Sequence, residues 1–258
     1  MNIFNFTYYE IETMLLVFAR IGGIIGAAPI LGSTNVPQLM KVALIAALTI
    51  LLYPITRLPP VEFPKTVAGL SLALGSELFI GIFIAYVARL VFTGIEVAGT
   101  IIGYQMGFGI VNVIDPVSAS NVSITSRVYN IFAMLIFLIM DCHHYFIKAI
   151  AASFELIPPL GFHYTGHMAE TLIRLFGDIF VVGVKLSAPV VAALFFTNVA
   201  LGLVARTVPQ MNVFIVGFPL QIGLGLLMLG ITVPLFALYV KTLFGEMGHN
   251  MSGLMGMM

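Results

Sequence analysis

The most constraining feature of this chain is a run of 37 residues, Thr66 to Ile102, without a single proline. A continuous helix of that length extends about 55 Å at ~1.5 Å per residue, whereas the hydrocarbon core of a bilayer is about 30 Å thick. Such a helix either breaks, with Gly81 or Gly94 as candidate positions, or projects well beyond the lipid. Glu77, Arg89 and Glu96 lie inside the run. An ionisable group in lipid is costly, so these side chains are expected to face protein or water. Arg20 in the first apolar run and Lys185 in a later one raise the same expectation. Arg20, Glu77, Arg89 and Lys185 are therefore candidate buried charges.

The rest of the chain has the same character. Of its 258 residues 60% are hydrophobic and 9% charged, with a mean hydropathy of +1.10. Soluble domains carry about 25% charged residues, so an all-α integral membrane protein is expected, built from helical hairpins and long kinked helices. Lys+Arg and Asp+Glu both number 11, which removes the bulk positive charge that nucleic-acid binding uses. Met1 to Glu12 carries Glu10 and Glu12 and no basic residue, so it does not read as a cleaved signal peptide.

Apolar runs are expected at about Met14 to Leu31, Leu39 to Ile55, Val128 to Ile157, up to Ala205, and again to Lys241. Pro54, Pro158 and Pro159 are expected to end runs, Lys185 and Pro189 to interrupt one, and Gly217 with Pro219 to kink the last. Arg206 suits a helix C-terminus, and Pro209, Gln210 and Asn212 form a turn that makes the last two runs a helical hairpin. The Met-rich tail after Phe244, with five of the 14 methionines in the last twelve residues, reads as flexible, non-specific packing.

Two stretches have more specific content. Gly99, Gly103 and Gly107 recur every four residues and so stack on one helix face, as in close helix–helix contacts. After Met106, Gly107, Phe108 and Gly109, the chain continues through Ile110, Val111 and Asn112. Asp115-Pro116 then stops helix propagation, and a Ser/Thr/Asn tract runs to Ser126. Such backbone cannot face lipid. It is either an ordinary surface loop between two membrane helices or a plug lining a water-filled path. Farther on, Asp141, His144 and Lys148 are spaced to share a helix face. A metal site there competes with the reading that these residues mark where the helix leaves lipid. Two or three candidate ligands do not define a coordination shell, and no metal or other cofactor is assigned.

No nucleotide-binding glycine loop, His-Glu-x-x-His or Gly-x-Ser-x-Gly motif is present, so the chain is not expected to be an enzyme. Broken helices with buried charges leave an ion-coupled secondary transporter or channel as the alternative function.

The ordered set of motifs resembles the FliR family of flagellar export proteins. It runs through Gly26 to Pro37, Asp115-Pro116, Asp141-Cys142-His143-His144, Ala188-Pro189, Leu201-Gly202-Leu203, Arg206, Pro209-Gln210-Met211-Asn212, Phe214 and Gly217-Phe218-Pro219-Leu220. Virulence type III secretion relatives share Arg-x-x-Pro-Gln-x-Asn, and Gly217 to Leu220 favours the flagellar branch. The resemblance implies a single-copy subunit of an inner-membrane export gate in the flagellar basal body. It would complete a helical FliP and FliQ assembly, with FlhB outside and FlhA as platform, in contact with lipid and unfolded export substrates. Residues 1–157 would be the FliP-like part and 168–258 the FliQ-like hairpin, in one membrane domain. The plug would fall on about Met106 to Val122, and Gly99, Gly103, Arg206, Pro209, Gln210, Asn212, Gly217, Phe218 and Pro219 would serve packing and assembly.

Overall fold

The computed structural model describes residues 8–56, 64, 66–109, 123–163, 165–210 and 212–258. These form seven helices and, among the described residues, no strand. The helices are α1 (Tyr8–Ala27), α2 (Gln38–Thr56), α3 (Val67–Gln105), α4 (Ile124–Ile139), α5 (His143–Leu156), α6 (Gly166–Thr207) and α7 (Val213–Met255). The protein is thus all-α, and α3, α6 and the Phe214–Met255 part of α7 are each long and apolar enough to cross a membrane. A fourth crossing results if α4 and α5 count as one broken span.

Helix α3 decides between the two fates of the long run: its 39 residues are continuous. Thr66 starts it, with its hydroxyl accepting from the Gly69 N–H at 3.2 Å. Its end has a stereochemical cause. Gly107 adopts φ +86°, its N–H donates to Tyr104 O, and the Phe108 N–H donates to Gly103 O. This pair of bonds satisfies the last carbonyls of a helix and favours glycine at the left-handed position. At 1.5 Å per residue α3, α6 and α7 each extend roughly 60 Å, about twice the hydrocarbon thickness.

Proline breaks none of these helices: Pro189, expected to interrupt a run, lies within one continuous helix, whereas Pro54 falls in the last turn of its helix and Pro219 inside the helix where a kink is expected. Pro54, Pro189, Pro219 and also Pro234 lie inside helices. Each removes one backbone donor, and apolar membrane helices tolerate that because neighbouring groups take up the freed carbonyl. Asp141 is not on a helix face: it lies between α4 and α5 with φ +53°. Arg89 and Lys185 are exposed in this chain. Their depth along an apolar run was legible, but the direction each faces depends on packing.

The described residues group into two compact units. Unit 1 comprises 1–90, 141–175 and 245–258, and unit 2 comprises 91–140 and 176–244. In unit 1 the core includes Leu16, Val17, Ile21 and Ile24 of α1, all fully buried. Gly23 and Gly81 face each other across α1 and α3 so closely that a Cβ on Gly23 would stand 3.1 Å from Gly81 Cα. The Met-rich tail is ordered here. Met247, Met251 and Met255 recur every fourth residue on α7 and are 0–2% exposed, so they form a packing stripe rather than a loose end. Beyond them, Met258 O accepts from the His163 N–H and Met257 O from Thr165 Oγ1.

Unit 2 is centred on aromatic rings. Phe92, Phe137 and Phe244 contact one another at centroid distances of 5.3–5.7 Å, and Tyr129 meets Phe236 edge-on at 4.6 Å. Gly94 lies beneath Val182, and Gly183 beneath Val97, which brings α3 and α6 into close contact.

Candidate functional site

Three arrangements contain the residues singled out in the sequence. The first is the glycine face at the end of α3. Gly99 and Gly103 are buried, and the chain returning at Ser123 closes directly over them. A Cβ on Gly99 would meet the backbone of Ser126 and Thr125. One on Gly103 would meet the hydroxyls of Ser123 and Thr125. Thr125 Oγ1 donates to Gly99 O at 2.6 Å, and Ser123 Oγ and Thr125 Oγ1 share a second hydrogen bond of 2.6 Å. Small residues on one side and short hydroxyl residues on the other allow two backbones to approach this closely. Both ends of the intervening segment are therefore held at one place in unit 2. Residues 110–122, with Ile110, Val111, Asn112, Asp115 and Pro116, lie outside the described residues.

The second arrangement is the hairpin tip, also in unit 2. Arg206 is in the last turn of α6 and exposed, as are Pro209, Gln210 and Asn212. Asn212 Oδ1 accepts from the Phe214 N–H at 3.1 Å, so it satisfies one of the free donors at the start of α7. Gly217 is buried, and a Cβ there would lie 3.4 Å from Leu201 Cδ1. Phe218 is half-buried and Pro219 exposed. A cavity of about 270 Å³ sits here, lined by Asn198, Leu201, Gly202, Phe214, Gly217, Phe218 and Gln221.

The tip and the glycine face meet. The Phe218 ring lies 2.8 Å from the position of a Cβ on Gly107, and fully buried Met106 packs against Gly225. Half-buried Gly109 lies beside the Tyr104 ring. Spacing within either stretch does not reveal this meeting, because more than one hundred residues separate Gly107 from Phe218. Sequence reading also missed the bond from Gln221 Nε2 to Asn198 Oδ1. Its one signal was a pair of amide side chains in otherwise apolar runs.

The third arrangement is in unit 1. Arg20 and Glu77 are both fully buried, and Arg20 Nε donates to Glu77 Oε2 at 2.6 Å. Arg20 Nη1 donates to the carbonyls of Ser153 and Ile157 at 2.8 and 2.7 Å. Its guanidinium lies 4.5 Å from the centre of the Phe154 ring. Glu77 Oε1 accepts from the Leu160 N–H at 2.9 Å, with Leu160 at φ +64°. One buried pair thus ties α1, α3, α5 and the α5–α6 connection together. In unit 2 Lys185 Nζ lies 5.9 Å from the centre of the Tyr239 ring.

These arrangements offer close packing of apolar side chains and one buried ion pair, in which Arg20 Nη2 has no hydrogen-bond partner among the described residues. Among the described residues none assembles a nucleophile with a base.

Residues 11–247 match the family described as bacterial export proteins, family 1. The flagellar biosynthetic protein FliR of Bacillus subtilis (strain 168) is 32% identical over 252 residues, covering 94% of this chain and 95% of that protein. FliR of Pectobacterium carotovorum is 33% identical, covering 89% and 87%, and FliR of Escherichia coli (strain K12) is 31% identical, covering 88% and 86%.

Proposed function

The chain belongs to the bacterial export proteins, family 1, and on that premise we propose that it is a core subunit of the flagellar protein export gate in the bacterial inner membrane. In this reading it completes a helical assembly of FliP and FliQ around a pore, with FlhB and FlhA as further partners, and conducts unfolded substrates without catalysing a reaction. Residues 1–157 correspond to the FliP-like part and 168–258 to the FliQ-like hairpin. The observation that carries the reading is the match to flagellar relatives over nearly the full length of both chains.

Within the gate, the segment from Met106 to Val122 acts as the plug. The arrangement around it supports this role: Gly99 and Gly103 hold its exit at Ser123–Ser126, and Phe218 lies against its entry at Gly107. A glycine-rich apolar segment anchored at both ends can fill a lumen by side-chain packing. Segments of this composition yield readily when a substrate displaces them, and apolar constrictions resist ions by dewetting. The transporter reading is weaker, since Arg89 and Lys185 are exposed and Glu77 is occupied by Arg20 and the Leu160 N–H.

Deleting Phe108 to Ser120 in frame tests the plug. Membranes carrying the intact assembly should become leaky to ions, measured as conductance in planar bilayers. Unchanged conductance with normal assembly would refute the plug and leave the family membership untouched.

A further inference from the structure

We propose that Asp141, His143 and His144 form a binding site for one divalent first-row transition-metal cation of the zinc class. Each side chain offers one ligand atom, and these atoms lie within 4.8 Å of one another. His143 Nε2 stands 4.0 Å from Asp141 Oδ1. The two imidazole rings are in contact, with centroids 4.3 Å apart and planes tilted by 36°.

Regular helical spacing does not produce this cluster, because residues two apart on a helix face away from each other. The turn produces it. Asp141 stands outside α5 in a left-handed conformation, and the His144 N–H donates to Asp141 O at 2.9 Å. That geometry brings the carboxylate beside both imidazoles.

The donor set fits the proposed ion. Two imidazoles and one carboxylate suit zinc, cobalt and nickel better than magnesium or calcium, which take oxygen ligands. Three protein ligands leave a position for water or for a donor from another chain. Bonds of about 2.0–2.2 Å require the ligand atoms to close by roughly one ångström, a movement within the rotamer freedom of exposed side chains. Asp141 and His144 are exposed, so an ion can enter from solvent.

A second observation singles out His143. Its Nδ1 is buried and, among the described residues, has no hydrogen-bond partner. The chain's own groups therefore leave the bonding of this ring incomplete. Which imidazole nitrogen takes a metal depends on what the other one bonds.

Lys148, one turn after His144 on the same face, opposes a cation here. A bound ion would cross-link the turn to the first residues of α5 and so define where that helix begins. This inference is independent of the plug.

The test uses the full-length chain, co-purified with its partner proteins through a tag that contains no histidine and stripped with a chelator. Zn²⁺ is titrated calorimetrically and Co²⁺ by its visible d–d absorption. The expected result is one ion per chain, with affinity falling about tenfold or more in Asp141→Asn and in His144→Ala, and rising in Lys148→Ala. Asp141→Asn keeps the shape of the turn, so its effect reads ligation rather than folding, and monodispersity of each variant is checked beside it. Absence of saturable binding, or equal binding by wild type and the His143→Ala/His144→Ala double variant, would overturn the proposal. The latter outcome would assign the ion to His163, His167, His249 or a partner.

Discussion

The surroundings of Arg20 in unit 1 and the glycine face of unit 2 solve the same problem, holding distant segments together inside an apolar protein, by opposite means. Around Arg20 the chain commits a buried ion pair, two carbonyls, a backbone N–H and an aromatic face to one geometry. Removing any partner leaves charge or polarity uncompensated. At Gly99 and Gly103 the chain commits almost nothing: missing side chains, van der Waals contact and one hydroxyl bond. The first arrangement resists displacement because separating a buried charge from its partners is costly. The second comes apart with only small polar losses, as the proposed plug requires. The contrast suggests a rigid anchor in one unit and a yielding seam in the other.

Replacing Glu77 with Ala should have the largest effect. It strands Arg20 as an unpaired buried charge, and breaking such pairs costs about 3–5 kcal/mol. Thermal unfolding of the detergent-solubilised complex should show a clear loss of stability. The double variant Arg20→Met/Glu77→Leu should regain most of it; if the double variant is no better than the single, the pair is not the anchor described. Gly103→Leu should come next, forcing Ser123 and Thr125 away from α3 at about 1–3 kcal/mol for an overpacked contact. Its signature is greater protease access at Ser123–Ser126, and an unchanged cleavage pattern would mean that the seam does not depend on close approach. Thr125→Val should be smallest, at about 0.5–1.5 kcal/mol for one hydrogen bond. A loss as large as that of Glu77→Ala would erase the contrast between the two regions.

Much of this fold was legible beforehand. The proline-free run became α3, Gly99 and Gly103 became a contact face while Gly107, expected on the same face, lies past the helix end in a left-handed conformation, and Pro209 to Asn212 became a hairpin tip. Each depends on local stereochemistry or on the four-residue period of a helix. The errors share a cause. Pro189 is expected to interrupt its run by the rules of water-exposed helices, although an apolar environment penalises unwinding more than a missing donor. The tail was read as loose because methionine has weak local preferences, yet Met247, Met251 and Met255 repeat at the helical period. Asp141 was placed on a helix because spacing does not reveal a left-handed residue.

The sequence by itself determined that this protein is helical and apolar, that a glycine-rich stretch with Asp115-Pro116 separates two of its long apolar runs, and which family it joins. These follow from composition, periodicity and motif order, which are properties of neighbouring residues. Only the tertiary structure decided that Arg20 finds Glu77, that Arg89 and Lys185 are exposed, that Phe218 covers Gly107, and that the last methionines are buried. Those outcomes depend on how helices turn and cross. A side chain's spacing along a helix sets its angular position relative to its neighbours, but only the contacts between helices set which way that face points.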